Sequence, residues 1–270
     1  MSKPQKTKFK PRFFVFDLDG TALGGRQPYA QFPRPFARLL DELAARGVRW
    51  ATNTTWPVES QFELLRRSGV KSAPAFLCGL TGLSLGLVKR GELRVCPRHA
   101  KMVLARSRRF RRRLWPLIRS IFLKLLRANL VRRFSFDNFE TYNLIDFTCE
   151  KKDAAAVARH LQPLLAPGLY YPWSPLDQPA NMLLPAYMNK GEALRRMLKR
   201  LKVRPEEVIA AGNGTNDLPM LDSTLARWLV CPANAHPLVI EAVKRQEGFV
   251  GARNFAWGVV DGVKEIILDF

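Results

Sequence analysis

The sequence predicts an α/β fold built on an open parallel sheet, with a second module inserted into the chain. Two apolar segments, Phe13–Phe16 and Val208–Ala211, have the length of buried strands, and each is followed by a polar loop. Between the first of them and Arg49–Asn53 lies an apolar repeat at helical spacing, as expected of a strand–helix–strand unit. The 138 residues from Thr52 to Lys190 exceed one crossover between strands, so about 100 of them should form a separate α+β module.

The first strand ends in the most informative segment of the chain. Asp17 and Asp19 follow four apolar residues and precede Gly20, which allows a sharp turn. Open α/β sheets bind ligands at the carboxyl ends of their strands, and residues two apart on a strand point the same way. The two carboxylates therefore suit a divalent cation, or a nucleophile beside a general acid. Simple capping of the turn is the plain structural alternative.

The other elements follow from periodicity and from stop signals. Residues 34–46 repeat apolar side chains at helical spacing, and Gly47 ends the pattern. Residues 141–149 alternate as in a strand, and Pro167-Gly168 ends a helix over residues 154–165. The remaining predicted elements are strands at 182–184 and 228–231 and a helix at 237–245.

The segment Asp-Leu-Asp-Gly-Thr at 17–21 resembles motif I of the haloacid dehalogenase (HAD) superfamily. The other superfamily motifs have counterparts in the same order: Thr52 ends a second strand, Lys190 opens a helix, and Gly-Asn-Gly-Thr-Asn-Asp-Leu-Pro-Met-Leu occupies 212–221. The first and last motifs are specific, whereas a single Thr or Lys is not. The resemblance spans the chain and implies a Rossmann-like parallel-sheet core with an inserted α+β cap. The cap position and last motif resemble the type IIB, or Cof-type, branch.

That resemblance implies a magnesium-dependent phosphatase that forms an aspartyl-phosphate intermediate. Asp17 would be the nucleophile, Asp19 the general acid and base, and Lys190 the cation that offsets charge repulsion. Oxygen ligands suit Mg²⁺, the implied cofactor. The implied substrate-binding residues are Thr52, Asn53, Lys190 and Asn216, and the implied metal ligands are Asp17, Asp19, Asn213 and Asp217.

Two positions depart from the pattern of the Cof-type relatives. Asn213 stands where those relatives usually have an aspartate, so an amide oxygen without charge replaces a carboxylate. The segment Thr-Asn-Thr-Thr-Trp at 52–56 stands where they usually have Thr-Gly-Arg. Asn53 tolerates a left-handed backbone and can replace the glycine, whereas the missing arginine changes contacts to the substrate or the cap.

The positive charge is concentrated in two segments. The chain has a formal net charge of +21, and residues 89–135 carry sixteen Lys or Arg against one acid, Glu92. The tail at 1–12 adds five basic residues and no acid, and is predicted to be disordered. The rest of the chain is nearly neutral, so an anionic partner or surface is expected to meet the basic segments.

Three interpretations of the basic segment 106–134 remain open. Its apolar residues recur every three or four positions, which indicates an amphipathic helix that is broken or kinked near Pro116. The helix could simply pack on a cap sheet with its arginines in solvent. It could dock on an anionic membrane surface, which the bulky apolar residues among the arginines favour. Binding of nucleic acid through phosphate contacts is the less favoured candidate.

We therefore expect a core at 13–85 and 186–270, a substrate-selecting cap at 86–185, and hydrolysis of a small phosphorylated metabolite such as a sugar phosphate. A phosphomutase is a low-ranked alternative. A catalytically weakened HAD fold whose basic cap binds a membrane or nucleic acid is the non-enzymatic alternative. Scattered cysteines and the lack of a secretory signal or an uninterrupted apolar span predict a cytoplasmic protein, with membrane contact at most peripheral.

Overall fold

A computed structural model describes residues 10–24, 30–136, 143–172 and 180–268 of the chain. The chain divides into two compact units, one of Met1–Cys96 with Asn189–Phe270 and the other of Pro97–Met188. Its strands in chain order are β1 Phe13–Phe16, β2 Arg49–Asn53, β3 Phe76–Gly79, β4 Ser84–Lys89, β5 Glu92–Val95, β6 Arg133–Phe136, β7 Ile145–Thr148, β8 Tyr170–Pro172, β9 Ala180–Pro185, β10 Val208–Ala211, β11 Trp228–Cys231 and β12 Phe249–Val250. Its helices are α1 Arg34–Ala45, α2 Val58–Ser68, α3 Pro97–Arg127, α4 Ala154–Leu161, α5 Lys190–Leu201, α6 Pro237–Arg245 and α7 Phe255–Leu268.

The first unit is built on an eight-stranded sheet in the order β12-β11-β10-β1-β2-β3-β4-β5. Pairing is parallel from β12 to β3, and β4 and β5 extend the sheet as antiparallel strands. Strand β1 lies between β10 and β2, so the segments that follow these three strands meet at one edge of the sheet. The α/β fold class with a parallel core, expected from the sequence, is confirmed.

Both faces of β1 are buried, as its unbroken apolar sequence predicts. Phe14 and Phe16 pack on one face, where their rings lie 5.0 Å apart and the Phe16 ring meets Phe36 of α1 edge-on at 5.0 Å. Phe13 and Val15 pack on the other face, in the cluster that includes the apolar side of α5. Burial of these side chains on both sides fixes the strand that carries Asp17 at its end.

The second unit contains a four-stranded antiparallel sheet in the order β6-β7-β9-β8, together with α3 and α4. The apolar side chains of α3, among them Leu114, Ile118, Phe122 and Leu125, form one buried cluster with residues of β6, β7 and α4. The interpretation that this helix packs on a sheet of its own unit is therefore correct for its apolar face.

Three expectations about boundaries differ from the structure. Residue 86, expected to begin the cap, lies inside β4, which pairs with β3 and so belongs to the large sheet. The tail ends before Arg12, because the Arg12 N–H donates to the Glu207 carbonyl and the Arg12 carbonyl accepts from Arg49; residues 1–9 lie outside the described part. Helix α3 is continuous from Pro97 to Arg127, so the chain does not break at Pro116, which is exposed on the helix.

Within the described ranges, every helix is too short or too polar to cross a bilayer. The four cysteines, Cys78, Cys96, Cys149 and Cys231, all lie within the described ranges, where they are buried and are not joined in disulfides. Burial raises the pKa of the Cys231 thiol to about 11 and that of the Cys78 thiol to about 12. Both thiols are therefore protonated at neutral pH, and we assign them to packing.

Candidate active site

Asp17 lies immediately after β1 at the carboxyl edge of the parallel sheet. Its backbone N–H donates to the Ala211 carbonyl at 3.0 Å, so the pairing of β1 with β10 continues to this residue. The side chain is 7% exposed. The sheet thereby delivers a buried carboxylate to the edge where α/β folds bind ligands.

Lys190 is the first residue of α5, and its ammonium joins Asp17 to Asp217. Lys190 Nζ lies 2.8 Å from Asp17 Oδ1 and 2.5 Å from Asp217 Oδ1, and the lysine is completely buried. The Asn189 side chain caps the helix by accepting the N–H groups of Gly191 and Glu192. A cation at a helix N-terminus is unfavourable for the helix dipole, so the two carboxylates are what stabilises this lysine here.

Asp217 also organises the loop that follows β10. Its Oδ2 accepts the backbone N–H groups of Asn213 and Gly214, both at 2.9 Å, while its Oδ1 accepts from Lys190. Both carboxylate oxygens are thus engaged by protein donors. We infer that Asp217 positions Lys190 and the loop, while its predicted contact with a metal stays a prediction.

Two glycines allow the segments to approach one another closely. At Gly191 an added Cβ would overlap the Pro219 carbonyl, so only glycine lets the start of α5 meet the last motif. Gly20 has φ +74, and an added Cβ would overlap the Asn213 side chain. These contacts explain why glycine is needed next to two of the proposed catalytic groups.

The turn after Asp19 is held by polar side chains of other loops. The Thr21 hydroxyl donates to Asn213 Oδ1 at 2.8 Å, and Asn234 Nδ2 donates to the Gly20 carbonyl at 2.8 Å. The Asn213 carbonyl in turn accepts the His236 N–H at 2.8 Å. Asn213 is therefore beside the first motif, although its predicted role as a metal ligand stays a prediction.

Asp19 is oriented by an indole. Trp56 Nε1 donates to Asp19 Oδ2 at 2.6 Å. Among the described residues, the buried Asp19 Oδ1 has no hydrogen-bond partner. The Trp56 carbonyl accepts from Gln61 at 2.8 Å, which ties the tryptophan loop to α2. One oxygen of Asp19 is thus held by the protein while the other remains available to a reacting group.

The structure brings Asn53, rather than Thr52, to the lysine. Asn53 Nδ2 donates to the Lys190 carbonyl at 2.9 Å. Thr52 is in register with Phe16, so its side chain shares the Phe16 face of the sheet, and its hydroxyl hydrogen bonds to Gln61. Asn216 lies in a single turn of 3₁₀ helix, Thr215–Asp217, with its side chain folded towards Gly214. Contact of these three residues with substrate stays a prediction.

The electrostatics of the cluster follow from its burial. Burial and, secondarily, the Asp217 carboxylate raise the pKa of Asp17, Lys190 lowers it, and the net value is about 7. Burial works against the charge on Lys190, but Asp17 and Asp217 outweigh it and raise the pKa of the ammonium. Lys190 therefore stays protonated, and the charge of Asp17 depends on what binds beside it.

The donors around Asp17 match magnesium in chemical type. Across the described part of the chain, no three or more His, Cys, Asp or Glu side chains form a metal-binding group. Mg²⁺ binds through one or two carboxylates together with waters and substrate phosphate, so such a group is not required. Asp17 supplies a carboxylate and Asn213 an amide oxygen beside the same turn. These residues fit the ion, with one protein charge fewer than in the aspartate pattern.

Comparisons with known proteins identify relatives of this chain. A family model of haloacid dehalogenase-like hydrolases matches residues 127–251, a range that includes Lys190 and Asp217. An uncharacterised hydrolase of Schizosaccharomyces pombe is 38% identical over 77 residues, covering 26% of this chain and 25% of that protein. An uncharacterised Geobacillus stearothermophilus protein is 35% identical over 86 residues, covering 32% of this chain and 84% of that protein.

Solved structures match over nearly the full chain. The Synechocystis sucrose-phosphatase, solved with sucrose and phosphate, superposes with a TM-score of 0.63 at 17% identity, covering 96% of this chain and 98% of that one. A phosphatase of the HAD superfamily from Bacteroides thetaiotaomicron gives a TM-score of 0.62 at 16% identity, covering 98% of both chains. These structures share the fold, and the match to the family model places the chain among the haloacid dehalogenase-like hydrolases. This confirms the Cof-type resemblance and the hydrolase class predicted from the motifs.

Three residues beside the cluster were not predicted from the sequence. Asp19 is held by Trp56, and the Trp56 loop is held by Gln61. The Gly20 turn is held by Asn234. The partners of these three residues lie 37, 5 and 214 residues away in the chain. The sequence signals were indirect: Trp56 falls in the segment that departs from the Thr-Gly-Arg pattern, and Asn234 belongs to an Asn-Ala pair that resembles one in the family.

Proposed function

We propose that this protein is a magnesium-dependent phosphatase that hydrolyses a small phosphorylated metabolite through an aspartyl-phosphate on Asp17. The observation that carries the proposal is the buried Asp17–Lys190–Asp217 cluster at the carboxyl ends of β1 and β10. Phosphate monoesters hydrolyse extremely slowly without a catalyst, so positioning and charge neutralisation must come from such a site.

In the first half of the reaction, a carboxylate oxygen of Asp17 attacks phosphorus. The bond between phosphorus and the leaving oxygen breaks, and an acyl phosphate forms on Asp17. Lys190 offsets the repulsion between the carboxylate and the incoming phosphate dianion. Because Lys190 is held by Asp217, its ammonium is already in place before the substrate arrives.

Asp19 handles the protons in both halves of the reaction. It gives a proton to the leaving oxygen in the first half and takes one from the attacking water in the second, so it returns to its starting state. The bond from Trp56 Nε1 holds one carboxyl oxygen, and the partnerless Oδ1 would face the leaving group. Trp56 is thus a positioning residue for the acid and base.

Magnesium, when bound, would neutralise charge on the phosphoryl oxygens and orient them. Asp17, Asn213 and the backbone carbonyl of Asp19 would hold the ion. Because Asn213 contributes no charge, we expect magnesium to bind more weakly here than in a site with aspartate at that position.

The substrate class is proposed from chemistry and from fold relatives. The Synechocystis neighbour is a sucrose-phosphatase solved with sucrose and phosphate, which supports a sugar phosphate or a related metabolite. We propose that the second unit, Pro97–Met188, contributes the selection among substrates. The weakened-fold alternative is not favoured, since the proposed nucleophile, acid, lysine and final aspartate are all retained.

The test is phosphate release from a panel of phosphorylated metabolites and from p-nitrophenyl phosphate, with magnesium and with a chelator. Release that requires magnesium and is abolished in Asp17→Asn supports the proposal. Acid quenching followed by mass spectrometry should place one phosphoryl group on the peptide that contains Asp17. Turnover that persists in Asp17→Asn, or that proceeds without any phosphoryl-enzyme, would exclude this mechanism.

A further inference from the structure

Helix α3 has an apolar face that the second unit uses completely. Leu114, Ile118, Phe122 and Leu125 are at most 4% exposed and lie in the core of that unit. An interfacial membrane helix needs this face to enter the lipid boundary. Packing in the protein core therefore removes from solvent most of the apolar surface that favoured membrane docking in the sequence.

The opposite face of α3 is cationic over its whole length. The helix has nine arginines, two lysines and no acidic residue. All but Arg111 of these eleven are exposed. At 100° per residue the exposed ones fall within an arc of roughly 160°, and 31 residues extend for about 46 Å. The exposed basic residues are Arg98, Lys101, Arg106, Arg108, Arg109, Arg112, Arg113, Arg119, Lys124 and Arg127.

This charge pattern is unfavourable for the isolated helix. Arg109 has Arg112 and Arg113 as neighbours three and four positions away, and like charges at this spacing cost a few tenths of a kcal/mol per pair. Arg98 and Lys101 also oppose the helix dipole near its N-terminus. A bound polyanion would relieve both effects.

The chemistry of the face favours nucleic acid phosphates. Arginine presents a planar fork that binds phosphate oxygens in pairs, and duplex DNA carries one negative charge per about 1.7 Å of its axis. The exposed large apolar residues of α3, Met102, Trp115 and Leu123, are separated along the helix and form no continuous patch. The Trp115 ring packs on Phe136 at 4.9 Å.

We propose that the basic face of α3 binds the phosphodiester backbone of nucleic acid without reading its base sequence. This binding surface goes beyond the phosphatase activity and does not depend on it. Phosphate contacts by arginine give affinity and orientation, whereas sequence discrimination requires contacts to base edges. The surface should therefore bind nucleic acid of any sequence, and its affinity should fall strongly as salt rises.

The test measures binding of the full chain to a labelled 30-base-pair duplex and to a single-stranded RNA of equal length, by fluorescence anisotropy from about 50 to 200 mM salt. The test variant changes Arg109, Arg112, Arg113 and Arg119 to Gln. The control variant removes the same charge from exposed positions of the first unit, Arg67, Lys199, Lys244 and Arg245. Far-UV circular dichroism verifies that both variants are folded.

We expect the α3 variant to bind on the order of 100-fold more weakly than wild type at 0.1 M salt, and its log–log salt slope to fall by about 3 to 4. The control should change the slope by less than about one. If the two variants lost the same amount of affinity, binding would be due to net charge, and the proposal would be overturned. The proposal would also be overturned if the wild type bound neither the duplex nor the RNA. It would likewise be overturned if the basic face of α3 bound only vesicles of 30% phosphatidylserine.

Discussion

Replacing Lys190 by methionine tests whether the buried cluster exists. The substitution keeps most of the side-chain volume but removes the ammonium that lies 2.8 Å from Asp17 and 2.5 Å from Asp217. Two buried carboxylates then face each other without a cation. Breaking a buried ion pair by removing one partner costs about 3–5 kcal/mol, because the remaining charge stays desolvated.

The expected loss can be read as a shift of the unfolding midpoint. For a domain of about 150–250 residues, 1 kcal/mol corresponds to about 2–4 °C, so the variant should unfold roughly 6–20 °C below wild type in chelator at pH 8. The deficit should shrink at pH 6, because Asp17, whose pKa already lies at about 7, can take up a proton. Phosphate release should be lost at both pH values.

Lys199→Met is the matched control, since Lys199 is exposed on the same helix. Its free energy of unfolding should change by no more than about 0.5 kcal/mol, as for surface substitutions in general. Thermal unfolding followed by circular dichroism, and a phosphate-release assay, provide the two readouts. If both methionine variants unfold at the wild-type temperature at pH 8, Lys190 is not buried between two carboxylates and the reasoning fails.

Three further changes have defined outcomes. In chelator, Asp17→Asn should gain stability relative to wild type as pH rises from 5 to 8. In wild type the folded pKa of Asp17, about 7, lies above its unfolded value. The folded wild-type protein is therefore destabilised as pH rises through that window, whereas an asparagine does not titrate. The gain should be about 2–3 kcal/mol in urea unfolding, and a pH-independent difference would contradict it. Asn213→Asp should lower the magnesium concentration for half-maximal phosphate release about 10–100-fold, and an unchanged requirement would remove Asn213 from the metal site. Trp56→Phe should slow alkyl phosphates far more than p-nitrophenyl phosphate, because poor leaving groups need the proton of Asp19, with the exposed Trp257→Phe as control. Equal slowing of both substrates would make the role of Trp56 purely structural.

The sequence predicted the cluster because its members carry local signals. Asp17 and Asp19 end an apolar strand, Lys190 opens a helix behind the cap residue Asn189, and Asp217 lies in a specific loop motif. The resemblance to the HAD motifs assigned four distant segments to one site, and the parallel strands deliver the ends of β1, β2 and β10 to one edge.

Hydrogen bonds between loops had no such signal. Trp56 and Asp19 form no pattern at their spacing of 37 residues, and the choice between Thr52 and Asn53 depends on which face of β2 each occupies. A one-residue shift in register exchanges the two faces of a strand, and only the pairing of β2 with β1 fixes it.

By itself the sequence determined the parallel α/β core, the hydrolase family and the concentration of positive charge near residues 89–135, because each is written in local periodicity, motif or composition. The tertiary structure decided which face of each element is buried. It packed the apolar side of α3 into the second unit and left the arginines outside. The physical reason is that helical periodicity defines an apolar face, whereas what covers that face depends on segments far away in the chain.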